Sequence, residues 1–189
     1  MGRLIFKSIV LSMLLISSNL YAKSQECNLF FNPGFEKGTN GWDLFTSDTK
    51  LSTKEYSGKY AIKYSSGGIG QEIENFPQTD GKTDYYLQGY YKTDRSPYNM
   101  WIGIEYFDEN WNLLSDDALE LKKSSNYKKF SITTTPPVNT KHVTFWSWSD
   151  SSRMSKTYLD DLIFQPIKMV NRTISFPKDF IFSCINRFI

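Results

Sequence analysis

Hydrophobic and polar positions alternate along most of this chain, with a period of two. In Tyr85–Lys92, Tyr85, Leu87, Gly89 and Tyr91 fall on one side and Tyr86, Gln88, Tyr90 and Lys92 on the other. Met100–Phe107 opposes Ile102, Ile104 and Tyr106 to Trp101, Gly103, Glu105 and Phe107. His142–Ser149 opposes Val143, Phe145 and Ser147 to Thr144, Trp146 and Trp148. Side chains change face at every residue of a strand, so these runs read as half-buried β-strands. After residue 22 no stretch keeps a helical period for three turns. The pattern predicts strands at Asn28–Asn32, Trp42–Thr46, Tyr60–Tyr64, Gly70–Glu74, Tyr85–Thr93, Met100–Phe107, Tyr127–Thr134, Val143–Trp148 and Thr157–Phe164. Breaks such as Asn32-Pro33-Gly34, Asn40-Gly41, Ser66-Gly67-Gly68, Asp80-Gly81 and Pro136-Pro137 separate them. Short strands between such turn signals predict an all-β sandwich. Trp42 and Tyr127 are expected in its core, and Trp111 in a turn.

Length and charge narrow the picture. The 189 residues suit one domain. Residues 1–22 open with Arg3 and Lys7, continue through the apolar run Ser8–Ile16 and end on Ala22, the form of a secretory signal. The run is too short to span a bilayer of about 30 Å. The expected organisation is a signal peptide at 1–22, a β-sandwich at 23–167 and a C-terminal tail at 168–189. Losing Arg3 and Lys7 takes the net charge from +2 to zero. A neutral, secreted or periplasmic chain gives no reason to expect nucleic acid as partner, and no membrane span remains after cleavage. Cys27 and Cys184 allow at most one disulfide, worth up to about 5 kcal/mol for so long a loop; two free, buried thiols fit equally.

The order of several motifs is informative. Asn32-Pro33-Gly34-Phe35-Glu36 precedes Gly41-Trp42; Ser57-Gly58-Lys59-Tyr60-Ala61-Ile62-Lys63-Tyr64 and Gln71-Glu72-Ile73 follow. Then come Tyr85–Thr93, Ile102–Asp108, Tyr127-Lys128-Lys129-Phe130 and Tyr158-Leu159-Asp160-Asp161-Leu162. Over residues 28–166 this resembles the carbohydrate-binding modules of families 4, 9 and 22. The resemblance implies a galactose-binding-like jelly roll. It also implies a structural calcium where the N-terminal segment meets the last strand, with Glu36, Asp160 and Glu55 as ligands completed by carbonyls. The competing reading is that Glu36 caps a loop and Asp160 binds backbone amides.

Catalytic chemistry finds little footing. His142 is the sole imidazole, and no GxSxG elbow exists to pair with it. One His and two distant Cys cannot assemble a transition-metal site. The carboxylate pairs Asp108-Glu109, Asp116-Asp117 and Asp160-Asp161 are chain neighbours, which a strand sends to opposite faces, whereas glycoside hydrolysis needs two carboxyls facing one cleft.

Aromatic residues make up 16% of the chain, more than a core of this size needs. If the three alternating strands share one sheet, as in the resembled modules, their outward residues form a single face. Trp101, Trp146, Trp148, Tyr86 and Tyr90 would stack on pyranose rings, and Gln88 and Glu105 would read hydroxyls. The expected function is a secreted, non-catalytic module for a polysaccharide or oligosaccharide. An extracellular or envelope module that binds an envelope protein is the alternative, and a small secreted hydrolase a third class.

Overall fold

The structure, a computed structural model, describes residues 28–94, 100–150 and 155–167. The expected signal segment, Cys27, Cys184 and the expected tail from residue 168 lie outside the described residues. Every strand belongs to the compact unit Leu29–Ile174. In chain order they are β1 (Asp43–Leu44), β2 (Lys50–Ser52), β3 (Ala61–Tyr64), β4 (Ser66–Glu72), β5 (Tyr85–Thr93), β6 (Met100–Phe107), β7 (Leu113–Glu120), β8 (Lys128–Thr134), β9 (His142–Asp150) and β10 (Thr157–Pro166). They pair antiparallel into two five-stranded sheets, ordered β1-β4-β9-β6-β7 and β2-β3-β10-β5-β8. There is no helix among the described residues. The fold is a jelly-roll sandwich.

The inward side chains of the two sheets make the core. Ile69, Ile102, Ile104, Val143 and Phe145 come from the first sheet, and Ile62, Leu87, Leu159 and Phe164 from the second, none more than 1% exposed. Two buried tyrosines carry hydroxyls into this apolar layer, and each finds a partner on the opposite sheet. Tyr64 meets Ser147 Oγ at 2.5 Å, and Tyr106 meets Thr134 Oγ1 at 2.9 Å. Burial pushes both phenols above their ordinary pKa.

The sequence pattern placed β5 and β6 residue for residue, and β8, β9 and β10 to within two residues. Asn28–Asn32 is not a strand. Leu29 donates one hydrogen bond to the Phe164 carbonyl at 2.8 Å, Leu29 and Phe30 are buried, and the chain then turns at Asn32 with φ of 52°. Two strands escaped the pattern, β2 and β7. Both lie at sheet edges. In β7 Leu113 and Leu114 are both exposed, so no apolar face alternates with a polar one.

Candidate functional site

On the outer face of the first sheet, pairing register sets side chains in rows. Gly68, Trp148, Trp101 and Glu120 cross β4, β9, β6 and β7 in one row. Gly70, Trp146, Gly103 and Ala118 form the next, and Glu72, Thr144, Glu105 and Asp116 the third. Glycines therefore flank Trp146 on both sides and Trp148 on one, and leave room for rings to lie down. A Cβ on Gly103 would stand 2.7 Å from Trp146 Cε2 and Cζ2, and one on Gly70 would stand 2.7 Å from Phe45 Cζ. Those two missing side chains are the seats of Trp146 and Phe45.

The result is an open hollow of about 440 Å³ lined by Phe45, Trp101, Trp146 and Trp148. Trp101 and Trp148 are each 38% exposed and Phe45 43%. Trp148 is oriented by Nε1 donating to Asp150 Oδ1 at 2.7 Å, and its ring lies 6.2 Å from that of Phe45. Trp146 Nε1 is shielded and has no acceptor. One row away, Glu105 accepts a hydrogen bond from Thr144 Oγ1 at 3.2 Å. The five strands of this sheet carry Asp43, Glu72, Glu105, Asp116, Asp117, Glu120 and Asp150 and no Lys or Arg. The aromatic floor has an acidic surround.

Trp101, Glu105, Trp146 and Trp148 thus share one face. Tyr86, Gln88 and Tyr90 do not join them. They point outward as the alternation predicts, but β5 sits in the other sheet, so they lie on the opposite outer surface of the sandwich. Alternation separates inside from outside; it carries no information on which sheet a strand enters. There Tyr86 receives a hydrogen bond from Gln165 Nε2, and Tyr90 stacks on Tyr56 with centroids 3.6 Å apart. Phe45 was missed because it follows a strand of two residues, too short to show a period. Tyr127 is also outside the core: half-exposed, it donates to the Lys54 carbonyl at 2.7 Å.

Trp111 sits in the predicted turn at φ of 63°, where Asp108 Oδ1 accepts the amides of Asn110 and Asn112. Its ring stacks on His142 at 3.9 Å, and His142 Nδ1 lies 3.1 Å from Glu72 Oε1. His142 is therefore engaged with a ring and a carboxylate.

The residues expected to hold calcium cluster around the loop at 55–60. Glu36 Oε1 accepts the amides of Lys59 and Tyr60 at 2.8 and 3.1 Å. Asp160, fully buried, accepts Tyr56 N and Ser57 N on Oδ2 and Asp161 N on Oδ1. A bulge in β10 with Asp161 at φ of 48° turns the neighbouring carboxylate to the same loop, where Ser57 Oγ donates to it at 2.8 Å. Burial first, and then the charge of Asp161, raise the Asp160 carboxyl to about 6 despite its donors. Glu55 Oε2 is buried without a partner. Among the described residues no three His, Cys, Asp or Glu side chains converge as a ready metal cluster.

No protein-family model and no curated protein matches the sequence. Solved structures do match in fold. A family 16 carbohydrate-binding module superposes with a TM-score of 0.61 at 21% identity, over 72% of this chain and 99% of its own. TmCBM61, solved in complex with β-1,4-galactotriose, gives 0.56 at 18%, over 74% and 99%. The CBM22-1 xylan-binding domain of Paenibacillus barcinonensis Xyn10C gives 0.55 at 15%, over 72% and 93%. The chain has the jelly-roll fold of carbohydrate-binding modules. No helix among the described residues is long and apolar enough to cross a membrane.

Proposed function

We propose that this protein is an exported, non-catalytic carbohydrate-binding module whose ligand lies in the hollow of Phe45, Trp101, Trp146 and Trp148. One observation carries the reading: four aromatic rings line an open outer face and leave between them a space on the scale of small-ligand sites. Sugar C–H faces stack on such rings, and the flanking carboxylates meet hydroxyls. The acidic surround selects neutral glycans, since carboxylates on a ligand would meet Glu105, Glu120 and Asp150. The neighbouring folds named for galactotriose and xylan support the class of ligand. Retention on a panel of neutral and acidic polysaccharides tests it: a neutral glycan should retain the wild type, and Phe45→Ala should weaken retention. Binding restricted to acidic glycans, or to a protein partner alone, overturns it.

We also propose that Asp160 and Glu55 hold one calcium, with loop carbonyls completing the shell. The unpartnered Glu55 Oε2 and the desolvated Asp160 support it, because a cation would neutralise both. Its contribution would be to fix the loop at 55–60 against β10. A melt at pH 7 that EDTA lowers and calcium restores is the expected result; an unchanged melt removes the ion from the account.

A further inference from the structure

The outer face of the second sheet has the opposite chemistry from the first. Its strands carry Lys50, Lys63, Lys92, Lys128 and Lys129 against Asp160 and Asp161, whose carboxylates are both engaged by the loop at 56–57. Register places Lys50, Lys63, Tyr158 and Lys92 in one straight row across β2, β3, β10 and β5. Lys50 and Lys63 stand directly opposite one another, and like charges so placed are destabilising. Neither forms an ion pair with another described residue. Lys54 reaches over the same ground, 5.6 Å above the Tyr158 ring and 3.8 Å from Asp94. Lys92 lies 5.0 Å from the Tyr158 ring centroid. Lys63 has its pKa lowered by burial and then by Lys50, Lys156 and Lys54, with Asp94 opposing them. At Lys63 the neighbouring lysines outweigh Asp94.

We propose that this face is a second binding surface, for an anionic polysaccharide bearing carboxylate or sulfate groups. It is independent of the aromatic hollow, which lies on the other side of the sandwich. A polyanion laid along the row brings its charges between Lys50, Lys63 and Lys92 and relieves their mutual repulsion. The tyrosine ring stacked beside the row, Tyr56 on Tyr90, is 45% exposed and offers a surface for a sugar C–H face. Other polyanions fit less well. The cations on the strands of this face are all lysines, compact point charges and not the planar fork that reads nucleic-acid bases. A membrane surface would want exposed apolar anchors, and among the described residues of this face only Tyr56 is an exposed large hydrophobic side chain.

Affinity electrophoresis of the full chain through gels containing polygalacturonate, dextran sulfate or neutral dextran tests the proposal. The wild type should be retarded by at least one of the two anionic polymers, and 0.5 M salt should release it, as screening requires. Lys50→Gln combined with Lys63→Gln should weaken that retardation about tenfold or more, about 1.4 kcal/mol. Lys92→Gln serves as the second variant if the pair disturbs folding, judged by near-ultraviolet circular dichroism. Trp101→Ala should leave the retardation unchanged. No retardation at low salt, retardation indifferent to the lysine variants, or tighter binding to phosphatidylserine vesicles or duplex DNA than to either polymer would each overturn it.

Discussion

At Gly103 a missing Cβ lets the Trp146 indole settle onto β6, so the hollow depends on a residue that contacts no ligand. Gly103→Val should displace the ring and weaken glycan binding about as far as Trp146→Ala does, roughly tenfold, measured by titration calorimetry. Gln71 works differently. Its amide donates to the Phe31 and Gly41 carbonyls at 2.9 and 2.8 Å and accepts from Phe31 N at 2.8 Å, tying the entry loop to β4. Gln71→Ala should cost about 1–3 kcal/mol in chemical denaturation, with glycan affinity unchanged. Asn32 is similar: its side chain bonds Gly38 O, Asn40 O and Lys37 N, and its carbonyl receives Trp42 Nε1 at 3.0 Å. The motif from Asn32 to Trp42 was therefore legible in the sequence as part of a resemblance, and its work is structural. Asp160 gives a pH test. Its folded pKa lies above the ordinary 3.8, so its favourable contribution is complete below about 3.8 and lost as pH rises through about 6. In EDTA the denaturation midpoint should fall between pH 4 and 7, and Asp160→Asn should remove that dependence whatever its own stability.

Among the longer strands, those with one wet and one dry face were readable and the one exposed along both faces was not. β5, β6 and β9 alternate because the core takes every second residue. β7, an edge strand with the burial of neither face complete, left no such record. The bulge at Asp161 was likewise invisible, and it overturns the expectation that Asp160 and Asp161 face apart. Joining β5 to the tryptophan strands failed for a related reason. The alternation of Tyr86, Gln88 and Tyr90 was right, and the pairing partner that decides the sheet is a long-range property. Across the core, the Tyr106–Thr134 bond links β6 to β8, and Thr134 in turn donates to Asp117 Oδ2 at 2.5 Å. Tyr106→Phe removes one of these links and should cost about 1–2 kcal/mol by denaturant titration, leaving the outer face intact.

At the scale of the whole molecule, a formal charge near zero conceals a separation. Carboxylates occupy the strands of the sheet that bears the tryptophans, and the strands of the other carry five lysines against Asp160 and Asp161. Net charge counts residues without regard to face, so the separation became visible only with the sheet order. It predicts that neutral and anionic glycans bind without competing. The central claim is that Trp101 and Trp148 form the floor of a glycan site, and calorimetric titration of the retaining neutral glycan into the Trp101→Ala, Trp148→Ala double variant tests it most directly. A loss of at least about a hundredfold in affinity with an unchanged thermal melt is the predicted result; affinity equal to that of the wild type would contradict it.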